Sequence, residues 1–277
     1  MGARPASRAT FDHIKSDMKM MRILAITNQK GGVGKTTTAV NLAASLSATK
    51  QRVLLVDLDP QANATMGSGV DKRNLSGSIY QVLLGEKPLS NVRVRSGGND
   101  YDVVPANREL AGAEIEMVDL DEREKRLKIA LQCHTEDYDY VLIDCPPALS
   151  LLTVNGLTAA QAVMIPMQCE YFALEGLSDL VQTVKRVREH LNPTLEIEGL
   201  LRTMYDPRNT LALQVSRQLM DHFGDKVYRT VIPRNIRLAE APSHGLSIMQ
   251  YDLNSKGAQA YIALAGEMLN RRQEMHL

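Results

Sequence analysis

The densest chemistry in this 277-residue chain lies in the stretch QKGGVGKTTT, Gln29 to Thr38. A loop of the form G-x-x-x-x-G-K-[ST] wraps backbone N–H groups around phosphates, places a lysine on the β and γ oxygens and offers a hydroxyl to Mg²⁺. Gly34, Lys35 and Thr36 complete that pattern, and Gly31, Gly32, Val33 and Thr37 supply the rest of the cradle. Five places before Gly34, where the pattern asks for its first glycine, stands Gln29, and Lys30 follows it. The loop is a variant carrying a second lysine.

Two acidic strings can complete a hydrolytic centre. In VDLDPQ, Asp57 closes an apolar run and Asp59 lies two residues beyond, where its carboxylate can orient an attacking water or the water shell of an ion. In VLIDCPP, Asp144 closes another run, as does the strand-end carboxylate that holds Mg²⁺ in phosphate-binding ATPases. Either aspartate alone could equally be a turn or cap residue; their company with the phosphate loop favours a role in chemistry.

These groups act together only if the fold brings them to one edge. Apolar runs of strand length recur at 22–27, 52–57, 101–105, 140–144, 162–167, 197–204 and 227–232. Several are continuously apolar, as a strand covered on both faces requires. Helical spacing falls between them. Thr36 to Ala48 follows the loop, and Leu174, Leu177, Leu180, Val181, Val184, Val187 and Leu191 mark a second helix with Lys185, Arg186 and Arg188 outward. This alternation predicts a doubly wound α/β fold, a mostly parallel sheet with helices on both faces, whose ligands sit at the carboxyl ends of the strands. No linker or repeat divides it, so a single domain over 21–277 is expected, preceded by a leader or disordered extension at 1–20.

Composition narrows the function. No apolar segment resembles a secretory signal or a membrane span, so a cytoplasmic protein without stable membrane association is expected. Cys133, Cys145 and Cys169 lack the spacing of a disulfide framework or a structural zinc site. Net charge is zero, but it is unevenly spread: eleven acidic residues face four basic ones between Glu109 and Asp144, and seven basic face three acidic between Arg202 and Arg237. Charge bias alone reads as solvated helix faces.

The strings KGGVGKTT, LLVDLDPQANAT, YDYVLIDCPP, QCEYFALEGL, GLLRTMYDPR and VIPRNIRLAEAPSHG, in this order from about Met21 onward, resemble the chromosome-partitioning ATPases of the ParA/Soj type, in the deviant-Walker-A branch of P-loop proteins. The resemblance implies ATP, ADP and Mg²⁺ as ligands and a slow ATPase that a partner stimulates. It implies that Lys30 reaches across a two-fold interface to the phosphates of a partner subunit, so that ATP drives homodimerisation. Asp59 then positions the hydrolytic water, Asp57 is a switch residue beside the Mg²⁺ shell with Thr36 and Asp144, and Pro233 to Asn235 lies against the adenine. Arg208 and Arg237 match arginines used on DNA phosphates, which turns the basic segment into an expected surface for non-specific duplex DNA. A ParB-type centromere-binding protein is the implied partner, and the nucleoid the implied location. A MinD-like membrane-cycling regulator would end in a free basic amphipathic helix, whereas AYIALAGEMLNRRQEMHL reads as a packing helix. A sequence-specific repressor would need a helix-turn-helix ahead of the loop, and an iron–sulfur reductase would need bridging cysteines. Against a nucleotide-locked scaffold that never turns over stands Asp59.

Overall fold

The computed structural model describes residues 21–134 and 136–274; the extension expected at 1–20 lies outside the described residues. Eight strands form one sheet: β1 (Arg22–Ile26), β2 (Val53–Asp57), β3 (Val94–Arg95), β4 (Asp102–Val104), β5 (Tyr140–Asp144), β6 (Ala162–Gln168), β7 (Glu196–Tyr205) and β8 (Val227–Pro233), in the order β3-β4-β2-β5-β1-β6-β7-β8. Every pairing is parallel except β3 with β4. The predicted α/β architecture is found, as one domain. The chain winds outward from β1 to β2 and β4, returns to insert β5 between β2 and β1, then leaves on the other side through β6, β7 and β8. The loop after β1 therefore opens at the centre of the sheet, where the winding reverses and a ligand crevice forms.

Continuous apolar strands arise because successive side chains point to opposite faces and both faces are covered. Ile23, Ala25, Leu54, Val56, Val141, Ile143, Val163 and Ile165 enter one core, under the helices Ile79–Leu84, Leu110–Glu116, Arg126–Gln132, Leu151–Ala159, Ala173–His190 and Thr210–Phe223. Leu24, Ile26, Val53, Leu55, Leu142 and Met164 enter the other, under Lys35–Ala48 and Lys256–Glu274. The last helix buries Tyr261, Leu264, Ala265 and Met268. It is a packing helix, as its pattern implied, and among the described residues no helix is long and apolar enough to cross a membrane.

The sequence reading lacked β3. This edge strand has two residues, half-buried Val94 and exposed Arg95, and is too short to show alternation.

Candidate functional site

The phosphate loop is shaped by a few backbone decisions. Gly32 (φ +74°) and Gly34 (φ +87°) occupy left-handed conformations that cost a side-chain-bearing residue strain, and a Cβ at Gly31 or Gly32 would meet no protein atom within 4 Å. Open space lies where the loop faces outward. Gly34 caps the helix Lys35–Ala48 without any side-chain hydrogen bond, and no acidic residue stands in the first turn. The first-turn N–H groups and the positive end of the helix are left to an anion.

The loop is braced from neighbouring strands. Asn28 Nδ2 donates to Pro166 O at 2.8 Å and its Oδ1 accepts from Lys30 N at 3.0 Å. Thr203 Oγ1 at the end of β7 donates to Val33 O at 2.7 Å, and Gln168 Nε2 at the end of β6 donates to Gly32 O at 3.4 Å. None of these three braces was singled out in the sequence. Their signal is a polar residue near the carboxyl end of an apolar strand, the same placement that marked the aspartates.

Behind the loop, β2 and β5 bring two carboxylates side by side, since Asp57 and Asp144 are register partners. Both are completely buried, but their environments differ. Asp57 Oδ1 accepts from Asp59 N at 3.1 Å, and Oδ2 accepts from Thr65 N at 2.8 Å and Thr65 Oγ1 at 2.7 Å. Three of roughly four acceptor positions are used, so Asp57 orders the turn that carries Asp59 and has little left for an ion. The sequence reading set Asp57 beside the metal; the geometry gives it a positioning task and brings forward Thr65, which was not foreseen. Neither oxygen of Asp144 has a hydrogen-bond partner. Burial, then the Asp57 charge, pushes its pKa well above the carboxylate range; the Thr36 hydroxyl is near enough to favour the charged form without closing a bond to it, and Lys35 acts in the same direction. A buried carboxylate with two idle oxygens is costly unless a cation completes it, and with the adjacent Thr36 hydroxyl it forms the hard-oxygen donor set that Mg²⁺ prefers. The residues present fit that ion.

Lys35 is buried, with Nζ donating to Lys30 O at 3.2 Å, and burial lowers its pKa against the pull of Asp144 and Asp59. Its ammonium is held inside the loop. Lys30 is not: its Nζ pairs with Glu170 Oε2 at 2.6 Å, with about half of each side chain exposed. The second lysine thus stands at the rim of the loop. Asp59 is half-buried, its Oδ1 accepting from Gln61 N at 2.9 Å. Val33 is buried in the loop and Thr37 lies in the first helical turn.

The remaining candidates lie on the same carboxyl edge, farther along. Pro233 ends β8, and Asn235 caps the helix Ile236–Glu240 by accepting from Leu238 N at 3.2 Å. Arg208, after β7, is exposed and paired with Asp206 at 2.8 Å; that ion pair holds the Asp206 carboxyl down to about 2. Arg237 pairs with Glu240 at 2.9 Å and Asp252 at 3.7 Å. The structure places both arginines at the ends of adjacent strands, each already faced by an acid of its own chain.

A centrally wound parallel sheet with a glycine loop, an in-loop lysine and a strand-end carboxylate defines a P-loop nucleotide-binding protein. A family profile described as an AAA domain matches residues 21–197. The sporulation initiation inhibitor protein Soj of Bacillus subtilis is 54% identical, covering 90% of this chain and 98% of Soj. The chromosome partitioning protein ParA of Caulobacter vibrioides is 51% identical, covering 92% and 96%. Among solved structures, cobyrinic acid a,c-diamide synthase from Mycobacterium smegmatis with bound ATP analog and magnesium is 40% identical with a TM-score of 0.80, covering 91% and 96%. The chain belongs to the ParA/Soj family of chromosome-partitioning ATPases.

Proposed function

We propose that this chain is a DNA-partitioning ATPase in which ATP binding joins two copies, the joined pair holds duplex DNA without sequence preference, and hydrolysis stimulated by a ParB-type protein releases it. The observation that carries the reading is Asp144, whose buried, unpartnered carboxylate beside Thr36 and Lys35 suits a magnesium-bound triphosphate. Bound Mg²⁺ would supply charge neutralisation on the β and γ oxygens. The chain's own groups do the rest. Loop amides of Gly31 to Thr37 cradle the phosphates, Lys35 places a fixed cation on them, and Pro233 to Asn235 lies along the base. Asp57, held by Thr65, fixes the turn from which Asp59 orients water.

Lys30 gives the switch. Its ammonium sits at the rim on an exposed ion pair with Glu170, and such a pair is worth at most about 1 kcal/mol. A γ-phosphate presented by a second copy is a stronger partner for it, and ADP, lacking that group, is not. Triphosphate therefore favours the joined state. DNA contact is assigned to Arg208 and Arg237, doubled on the dimer, with the nucleoid as the location. Each arginine must exchange an internal acid for a phosphate.

Sedimentation with ADP, ATP and a slowly hydrolysed analogue, with and without duplex DNA, tests the sequence of events. Dimers are expected with ATP and analogue alone, DNA binding with the dimer alone, and loss of both for Lys30→Ala with ATP still bound. Asp59→Ala is expected to hold the DNA-bound dimer without turnover. A Lys30→Ala protein that dimerises normally would remove the trans role of that lysine.

A further inference from the structure

One strongly charged surface is not absorbed by the functions above. From Glu109 to Glu122 the chain carries six acidic residues, Glu109, Glu114, Glu116, Asp119, Asp121 and Glu122, and no basic one. The helix Leu110–Glu116 and the turn Met117–Asp119 bury Leu110, Ala113 and Met117. Their outer face presents Ile115, 78% exposed, and Val118, 50% exposed, three residues apart and so neighbours along the helix. A β-branched apolar pair set in solvent among carboxylates is an unpartnered face, and its charge selects what can cover it.

The ridge is tied to the nucleotide site at two points. Glu114 Oε1 accepts from Leu152 N at 3.4 Å, at the start of the helix Leu151–Ala159 reached directly from Asp144 through residues 145–150. At the ridge's other end, Ala106 N donates to Thr65 Oγ1 at 2.9 Å, the same hydroxyl that donates to Asp57. A ligand that shifts this ridge shifts the supports of both the metal-side carboxylate and the turn bearing Asp59.

We propose that Glu109–Glu122 is the docking surface for a cationic, partly apolar segment of another protein, and that its seating regulates turnover through Glu114 and Thr65. Lysines or arginines of the segment meet the carboxylates, and apolar side chains cover Ile115 and Val118. The proposal rests on the functional reading in one respect, that a ParB-type protein is the expected carrier of the segment.

The test uses the full chain and two probes. The first is a labelled synthetic peptide of about twenty residues, with lysines and arginines on one helical face and leucines on the other, read by fluorescence anisotropy. The second is the ParB-type protein encoded in the same genome, read by ATP turnover. The combined variant Asp119→Asn, Asp121→Asn, Glu122→Gln, and separately Ile115→Ser, are expected to weaken peptide binding about tenfold or more. Both should lower stimulation by the partner while partner-free turnover and ATP-driven dimerisation stay as in the wild type. No peptide binding to the wild type, or binding and stimulation unchanged in the variants, overturns the proposal. So does weakened partner-free dimerisation, which would give the face to a second copy. If the ParB-type protein fails to stimulate even the wild type, the functional reading fails separately, and the peptide arm alone decides the surface.

Discussion

The two edges of the one sheet treat charge in opposite ways. At the amino edge, where β2, β4 and β5 begin, Arg52 pairs with Asp139, Arg93 donates to Tyr138 Oη at 2.7 Å, the same hydroxyl donates to Asp102 at 2.7 Å, and Arg95 pairs with Asp100 and Asp102. Arg22, at the start of β1, holds Glu196 and Glu198 at 2.8 and 2.6 Å. A cavity of about 500 Å³ opens among Lys50, Arg93, Arg95, Asp100, Asp102 and Tyr138, but its walls are already neutralised by one another. At the carboxyl edge, a carboxylate with no partner and a lysine held only by a carbonyl share a smaller, glycine-lined space. A larger cavity is not a better site. Groups satisfied internally hold the fold, and groups left wanting a ligand mark where it binds.

The sharpest break between the edges comes from removing one cation at each. Lys35→Ala should lower nucleotide affinity by ten- to a hundredfold or more, the loss of a charge-assisted contact worth about 1.5–3 kcal/mol. Arg93→Ala should leave nucleotide affinity unchanged and cost about 1 kcal/mol of stability, since its network with Tyr138 and Asp102 is internal. Calorimetric titration and thermal melting of the two variants read both quantities. An Arg93→Ala protein with impaired nucleotide binding would mean that the amino edge communicates with the loop.

Asp144 sharpens the comparison through pH. Burial raises Asp57 from 3.8 to about 6 and Asp144 well above the ordinary value. For a carboxyl whose folded pKa is raised, the folded state holds the proton more tightly. Its stabilising contribution is complete below about 3.8 and is lost as pH rises through the folded value. Ligand-free protein should therefore lose stability from about pH 4 upward past pH 6. Asp144→Asn has no charge to bury there, and it should be more stable than the wild type at pH 8 by about 1–3 kcal/mol and nearly equal at pH 4. Magnesium-dependent nucleotide binding should fall in the same variant. Denaturant melts at the two pH values decide it: equal stability at pH 8 would mean that the Asp144 charge is already met within the protein.

What the sequence disclosed, and what it did not, follows the same division. The parallel sheet, the loop, and Asp57, Asp59 and Asp144 were legible because unbroken apolar runs demand two covered faces, and because each aspartate closes such a run. Strand ends agreed within one residue, apart from those at Tyr101 and Pro105, where the three-residue β4 is shorter than its apolar string by one on each side. The contrast between Asp57 and Asp144 was not legible. Both end identical-looking strands, and only Thr65, eight residues past Asp57, consumes one and leaves the other idle. The pairings Lys30–Glu170, Arg208–Asp206 and Arg237–Asp252 were hidden for a related reason: they join loops after different strands, or residues on one loop whose turn geometry has no sequence period. The edge strand β3 escaped because two residues cannot show alternation.

The smallest effect concerns Lys50, on the amino edge. The helix Lys35–Ala48 ends with Thr49 as its cap; Lys50 follows at φ +64°, its N–H donating to Ser47 O at 2.8 Å, and Gln51 N–H donates to Leu46 O at 3.2 Å. This pair of bonds closes a helix around a left-handed residue, a position that glycine fills without strain. Lys50 is exposed there, so its replacement removes little packing. If the amino edge is a scaffold whose charges are already paired, Lys50→Gly should raise stability by about 0.5–1 kcal/mol and leave nucleotide affinity, dimerisation and DNA binding untouched. If melting shows a loss instead, the ammonium is needed against Asp100, Asp102 and Asp137 across the cavity. That outcome would move the amino edge from a self-neutralised scaffold to a charge-balanced one in which a single added anion, or one removed cation, is felt.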